Sequence, residues 1–308
     1  MTAQPGRITV PERLTGTVRL WEGDAGLAWL ADLPGRFADQ LARRGLVLER
    51  ICEPGGRISL VGYVHRADDL APAVLKLGVV NRETDQEHAA LAHWAGRGAV
   101  LLLAAEPEHG VLVLERLHGD IPLRSLAEAK AMLEAVGLLQ RLWVPPGEGH
   151  PFTSVGERVA GLSELIRERR GLPEAAAARP LIDEALETAA GLLADEPERL
   201  LLHGDFHHGN VLAADRSPWL AIDPRPLVGE RAYDLARLAR DRLDTLAGSP
   251  GQRGALRRRL QQLAGAVEVD QDRLRGWTLF RTVEAGLWHL STGAREQAEL
   301  YLEFASWL

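Results

Sequence analysis

Cysteine is nearly absent from this chain: Cys52 stands alone, so no internal disulfide can form and no cysteine-rich metal site can be built. A basic surplus is missing as well. The 36 lysines and arginines are outnumbered by 43 aspartates and glutamates, a formal net charge of -7, whereas a nucleic-acid binder ordinarily shows the opposite balance. That acidity would suit a cationic small molecule. No stretch stays apolar for the roughly 18 residues that a membrane-spanning helix needs, and the opening MTAQPGRITVPERL has no basic run followed by an apolar core. These absences give the expectation of a cytoplasmic protein that binds neither membrane nor nucleic acid. Fixed-period repeats are absent too. What is present is 308 residues with 46% hydrophobic content, enough to fill one large or two ordinary cores.

Patterning divides the chain. After a polar, loose start, LAWLADLPGRFADQLARRG from Leu27 carries apolar residues at helical spacing and stops at Gly45. LVLERICE, RISLVGYV and AVLKLG follow as short Val/Ile/Leu-rich runs, separated by PGG and HRADD, and read as three successive antiparallel strands. A helix from about Glu83 to Gly96 and two more strands, AVLLLAA and GVLVLERL, complete a sheet of about five strands with one helix inserted after the third. From Leu123 onward the pattern is helical. The boundary falls at LHGDIP, with Gly119 and Pro122 as hinge residues, giving regions 1–117 and 118–308. The class is α+β.

One segment departs from helical periodicity in the second region. Between Arg199 and Asp223 the chain reads as short apolar runs around a polar loop, HGDFHHGN, and such a departure is where function concentrates. Asp205 precedes Asn210 by five positions, and Asp223 follows after a short hairpin. Phosphoryl transfer needs a group that orients a hydroxyl and takes its proton, and oxygen ligands that hold magnesium against the phosphates. Asp205, Asn210 and Asp223 supply those types, and magnesium, which keeps waters and phosphate oxygens as its other ligands, needs no more from the protein. A lone Asp or Asn in a loop is more often a turn former, but three in this order weaken that reading. The rival chemistry is zinc, suggested by His203, His207 and His208 beside an aspartate. It lacks a His-Glu-x-x-His helix and cysteine partners, and leaves Asn210 and Asp223 unexplained. His203 is expected to support the loop by packing and hydrogen bonding. His207 and His208 are either exposed near an acceptor or bland loop residues.

The order His, any residue, Asp, four residues, Asn resembles the kinase catalytic loop, with Gly204 for arginine and Phe206 for leucine. HGD followed by IDPRPLVGERAYDLARL resembles the aminoglycoside phosphotransferase-like branch of the kinase superfamily. Within it, LHGDFHHGNVL, WLAIDPRPLVGERAYDLA and HAALAHWAGRGAVLLLAA resemble the aminoglycoside and hydroxyurea resistance kinases, over a stretch from about Trp21 to the last helices. The resemblance implies a two-lobed protein-kinase-like fold, with a mainly antiparallel β N-lobe that binds nucleotide and a mainly helical C-lobe for catalysis and acceptor. It implies ATP and Mg2+, with Asp205 catalytic and Asn210 and Asp223 on the metal. Lys76, an isolated lysine in the third strand, would hold the α- and β-phosphates; the bland alternative is the solvent-facing position of a half-buried strand. Glu87, with Glu83 four residues before it, is the candidate partner for that lysine.

Gly55 and Gly56 would let backbone amides approach phosphate, or are simply hairpin turn residues, because EPGGRISLVGYV departs from G-x-G-x-x-G. The segment Glu115 to Leu117 resembles the one whose backbone binds the nucleobase, which leaves ATP against GTP open. Asp234 resembles the acid that braces the catalytic loop, the alternative being an ordinary acid at a helix N-terminus. Glu230 and Arg231 pair with loop groups or form a solvated surface pair. Asp223 is followed by Pro224 and Arg225 rather than Phe-Gly, and no Ala-Pro-Glu follows, which implies a small-molecule alcohol acceptor rather than a polypeptide. By resemblance that acceptor is streptomycin or a related aminoglycoside; hydroxyurea, a metabolic sugar or amino alcohol, and a catalytically silent relative are the alternatives. Trp277, Trp288 and His289 are expected in the core. Asp241, Asp244 and Glu284 either line a cation-attracting site or are solvated helix faces.

Overall fold

The computed structural model describes residues 7–81, 84–247 and 251–308, apart from the side chains of Asp244 and Ala247. Two compact units are present: residues up to Gly119 together with Ala213–Leu220, and Asp120–Leu212 together with Ala221–Leu308.

In the first unit helix α1 (Glu12–Arg43) already covers residues 12–26, part of the stretch where a loose start was expected. The apolar pairs Leu14/Val18 and Leu33/Phe37, each at i, i+4, are fully buried in one cluster with sheet residues such as Leu60, Leu75 and Leu77. Gly23, at φ 54 and ψ -135, kinks the helix between those pairs. The interruption hid the first half from a periodicity reading. Strands β1 (Leu46–Ile51), β2 (Ser59–Arg66) and β3 (Pro72–Gly78) precede α2 (Glu87–Trp94), and β4 (Leu102–Glu106) and β5 (Val111–Glu115) follow it. They form one antiparallel sheet in the order β1-β2-β3-β5-β4. Period-2 alternation in β3 sends Ala73, Leu75 and Leu77 into the cluster shared with α1, and Lys76 to the other face. Helix α2 ends where Ala95 and Gly96 turn left-handed, at φ 46 and φ 81.

Strand β6 (His118–Pro122) leads on to α3 (Glu128–Leu142), α4 (Val155–Arg170) and α5 (Arg179–Leu193). Four short strands come next: β7 (Leu200–Leu202), β8 (Val211–Ala213), β9 (Trp219–Ala221) and β10 (Leu227–Gly229). Helices α6 (Arg231–Ala239), α7 (Leu243–Ala247), α8 (Gln252–Val267), α9 (Gln271–Ser291) and α10 (Arg295–Ala305) complete the chain. The core of the second unit is organised on α9, which packs against α4, α5, α6, α8 and α10. Trp277, Phe280 and Val283 of α9 are buried, with Trp277 edge-on to Tyr233 at 5.2 Å between centroids. Trp288 and His289, expected in the core, are only half-buried at the end of α9, where His289 stacks on Tyr301 at 5.2 Å. None of the described helices is long and apolar enough to cross a membrane.

Candidate active site

Strands β7 and β10 pair antiparallel, Leu202 opposite Leu227, and so bring together the two ends of the segment that carries HGDFHHGN and Asp223. Two further backbone bonds pinch it: Arg225 N–H donates to His203 O at 2.8 Å and Ile222 N–H to Asn210 O at 2.9 Å. Gly204 lies at the narrowest point, at φ 79, and a Cβ there would run into the Arg225 carbonyl oxygen. The His203 ring is buried, donates from Nε2 to Ile222 O at 3.0 Å and accepts Asp205 N–H on Nδ1 at 3.3 Å, which fixes its tautomer. Burial holds its pKa below the ordinary value. It is the loop support expected of it.

Asp234 of α6 is fully buried, and both its oxygens are spent on this loop: Oδ2 accepts His203 N–H at 2.9 Å and Oδ1 accepts Gly204 N–H at 2.8 Å. Trp143 Nε1 adds a third donor at 3.1 Å. An acid serving only the helix end is thereby ruled out.

Asp205 is gripped by guanidinium groups. Arg237 Nε donates to Oδ1 at 2.9 Å, and Arg225 Nε stands 3.9 Å from Oδ2. Burial works to raise the Asp205 pKa, but the charges of Arg237, His207, Arg225 and Arg281 outweigh it and hold the carboxyl well below the usual carboxylate range. It is therefore ionised at any physiological pH. Asn210 donates from Nδ2 to Asp205 O at 3.1 Å, which sets the orientation of its amide. Among the described residues nothing donates to Asn210 Oδ1, so a hard oxygen donor stands ready beside Asp205. Asp223 sits at φ 59, a left-handed conformation in which Asp is one of the few tolerated residues, directly after the Ile222 that bonds Asn210. The structure thus gathers Asp205, Asn210 and Asp223 on one pinched segment.

The histidines do not converge on a common point. His207 Nδ1 accepts Gly209 N–H at 3.1 Å and caps the short turn His208–Asn210; burial, then the charge of Arg237, push its pKa down to about 4. His208 is fully buried with Nδ1 2.6 Å from Asp241 Oδ2, so it is neither exposed nor a bland loop residue. No group of three or more His, Cys, Asp or Glu among the described residues is placed to hold a metal ion, and the zinc reading has no geometry behind it.

In the first unit Lys76 Nζ lies 2.7 Å from each Glu87 carboxylate oxygen, with both side chains buried. The solvent-facing alternative for Lys76 fails. Glu83, the other partner considered, lies outside the described residues. Both residues line a hollow with Ser59, Gly78, Thr84 and Leu112. Gly55, at φ 72, turns the chain between β1 and β2, and a Cβ on Gly56 would press on Ser59. Glu115 is engaged by Leu101 N–H at 2.6 Å and by Arg216, whereas the N–H of buried Leu117 has no hydrogen bond among the described residues.

Glu230 and Arg231 do not pair with each other; Arg231 pairs with a nearby loop group, Glu198, as one alternative had it, and Glu230 with helix α9. Glu230 is buried and accepts from Arg273 and, at 2.6 Å, from Trp277 Nε1; Arg231 meets Glu198 at 2.8 Å. Of the three acids offered as a cation-attracting site, Asp241 faces His208, Glu284 is half-buried and the Asp244 side chain is outside the described set.

Comparison with known proteins places this geometry. Residues 44–293 match the family described as aminoglycoside/hydroxyurea antibiotic resistance kinase. The chain belongs to that family. A hydroxyurea phosphotransferase of Kitasatospora aureofaciens is 38% identical over 292 residues, covering 93% of this chain and 82% of the relative. A streptomycin 6-kinase of Streptomyces glaucescens is 36% identical over 291 residues, covering 93% and 92%. Among solved structures, the aminoglycoside phosphotransferase APH(4)-Ia in a ternary complex with ADP and hygromycin B aligns with TM-score 0.61 at 18% identity, over 87% of this chain and 96% of that one. The choline kinase LicA of Streptococcus pneumoniae aligns with TM-score 0.62 at 13% identity, over 89% and 99%. At such identities the structural likeness speaks for fold, and the fold is kinase-like.

Of two residues that touch the kinase loop, Arg237 was not singled out by reading the sequence, and Asp241 was offered only as a cation-attracting or solvated acid, not as a partner of His208. Their only signal is position: Arg237 follows Asp234 by three residues on one side of α6, and Asp241 stands in the turn that ends that helix.

Proposed function

We propose that this resistance-family kinase transfers the γ-phosphate of ATP to a hydroxyl of a small molecule, streptomycin or a related aminoglycoside. The observation that carries the reading is Asp205, kept ionised by its arginines, beside an Asn210 oxygen that no described residue engages. The Asn210 amide oxygen and the Asp223 carboxylate are the hard donors that suit Mg2+, which when bound would neutralise charge on the phosphates. Asp205 accepts the hydrogen bond of the acceptor hydroxyl and orients its oxygen for in-line attack. As the new O–P bond forms, the bond to the β-phosphate bridging oxygen breaks and ADP leaves with that electron pair. The hydroxyl proton passes to Asp205 and then to solvent. A carboxylate of such low pKa is a weak base, so its main service is orientation, with proton transfer late.

In the first unit Lys76, held by Glu87, would carry the α- and β-phosphates, the backbone at Gly56 would approach them, and the segment Glu115 to Leu117 would take the base, with the Leu117 N–H as a ready donor. We assign nucleotide binding to 1–117 and catalysis with acceptor binding to 118–308. Dependence on ATP favours the cytoplasm.

Hydroxyurea is the second reading. Besides the relative named for it, Arg237 and Arg225 flank the Asp205 carboxylate, a setting that suits a neutral carbonyl compound better than a guanidinium. The test is a magnesium-dependent ADP-release screen over aminoglycosides, hydroxyurea and polyols, with mass detection of product, run beside Asp205→Ala. Turnover on streptomycin should fall about 10²–10⁴-fold in that variant, with ATP affinity nearly intact. Turnover on hydroxyurea alone would select the second acceptor, and a comparable loss of ATP binding would remove Asp205 from its role.

A further inference from the structure

The loop His203 to Asn210 is held from one side by a single stripe of α6 and the turn that ends it. Residues i and i+3 of a helix fall within about 60° of one another. Asp234 and Arg237 occupy those positions on α6, Asp241 stands in the turn that follows, and each grips a different part of the loop. Asp234 takes the His203 and Gly204 amides at the start, Arg237 takes the Asp205 carboxylate, and Asp241 Oδ2 accepts both His208 N–H at 2.9 Å and His208 Nδ1–H at 2.6 Å near the end.

Asp241 is itself fixed. Its Oδ1 accepts Arg242 N–H at 3.0 Å and its carbonyl accepts from Arg259 at 2.8 Å, while Arg259 also pairs with Glu128 of α3. The turn that it holds is short: Asn210 N–H closes it on His207 O at 2.9 Å, and the Asn210 side chain closes it on Asp205 O. A carboxylate that anchors His208 through two bonds therefore sets where the Asn210 amide oxygen stands. Without Asp241, a buried imidazole and a buried amide lose their partner together, and the turn becomes the loop's weakest part.

We propose that Arg237 and Asp241 are positioning residues for phosphoryl transfer: Arg237 orients the Asp205 carboxylate, and Asp241, through His208, orients the turn that presents Asn210. The roles of Asp205 and Asn210 rest on the function proposed above; the grip on the backbone does not.

Hydrogen-exchange mass spectrometry on the full chain separates the two. Asp241→Ala should speed amide exchange in residues 207–210 by about tenfold or more, with α8 and α9 unchanged. In assays it should raise the Mg2+ concentration for half-maximal turnover by about tenfold, with the acceptor KM unmoved. Arg237→Ala should instead lower kcat at unchanged Mg2+ half-saturation, and Arg237→Lys should recover part of it. If Asp241→Ala does not fold, Asp241→Asn, which keeps the shape and one acceptor, gives the same exchange pattern at smaller amplitude. Exchange unchanged at 207–210, or raised throughout α8 and α9 alike, overturns the proposal, as does an Asp241 variant with lower kcat and wild-type Mg2+ dependence. If the wild-type chain transfers no phosphate to any acceptor, the proposed function fails while the exchange result still decides whether Asp241 grips the loop.

Discussion

At residue scale the site depends on a few atoms that are missing or unengaged. Gly204 supplies no Cβ where the Arg225 carbonyl oxygen stands, and its φ of 79 is strained for any other residue. Gly204→Ala should therefore destabilise the fold by at least ~2 kcal/mol and abolish turnover, as read from urea unfolding and ADP release. A variant as stable as wild type would mean that His203 and Arg225 do not approach as described. The order of Asp205 and Asn210 could be read as chemistry, because residue types and spacing are one-dimensional facts. Why glycine separates His203 from Asp205 could not, since its cause is a carbonyl contributed by residue 225.

At element scale, β3 and α2 share one buried ion pair. Lys76 and Glu87 are bonded through both carboxylate oxygens at 2.7 Å and are largely shielded from water. Removing one partner leaves a buried charge uncompensated, a loss of about 3–5 kcal/mol, whereas removing both leaves an apolar contact of similar volume. Lys76→Met alone should therefore destabilise strongly. Adding Glu87→Leu should restore most of the denaturation midpoint, but neither variant should regain ATP affinity in titration. If the double variant recovers ATP binding along with stability, the pair serves folding alone. The sheet was legible because β-branched runs, period-2 alternation and the PGG and HRADD turns agree with one another. The first half of α1 was not, because Gly23 breaks the period between two buried apolar pairs. The grip of α6 and its closing turn was opaque for another reason: Arg237 and Asp241 look like any solvated charges until the loop they grip is seen beside them.

For the whole molecule, the pH dependence of stability should be set by groups in both units. On the acid side, the ordinary His207 value of 6.5 is pushed down to about 4 by burial and then by the charge of Arg237, and burial lowers His203 in the same direction. The unfolded chain then binds protons that the folded chain refuses. Stability is full above pH 6.5 and is lost as pH falls toward 4. Asp205 and Asp241 stay charged further into acid, because their pKa values are held well below the carboxylate range, so they add to the loss only later. On the alkaline side, burial and then the hydrogen bond with Cys52 push the Tyr63 phenol from 10.0 up to about 12. That contribution is present below pH 10 and is lost as pH rises toward 12, since the unfolded chain releases the proton first. Urea midpoints measured across pH should be flat between about 6.5 and 10 and fall on the acid side. Above 10 the loss from Tyr63 is opposed by Arg240, whose guanidinium pKa burial lowers to about 10. His207→Asn keeps an acceptor for Gly209 N–H and should shallow the acid limb without abolishing it, because His203 remains. Tyr63→Phe should remove its own alkaline loss and leave the acid limb untouched. A midpoint that holds steady from pH 6.5 down to about 4.5 would show that His207 takes up its proton in the folded state as readily as in the unfolded one.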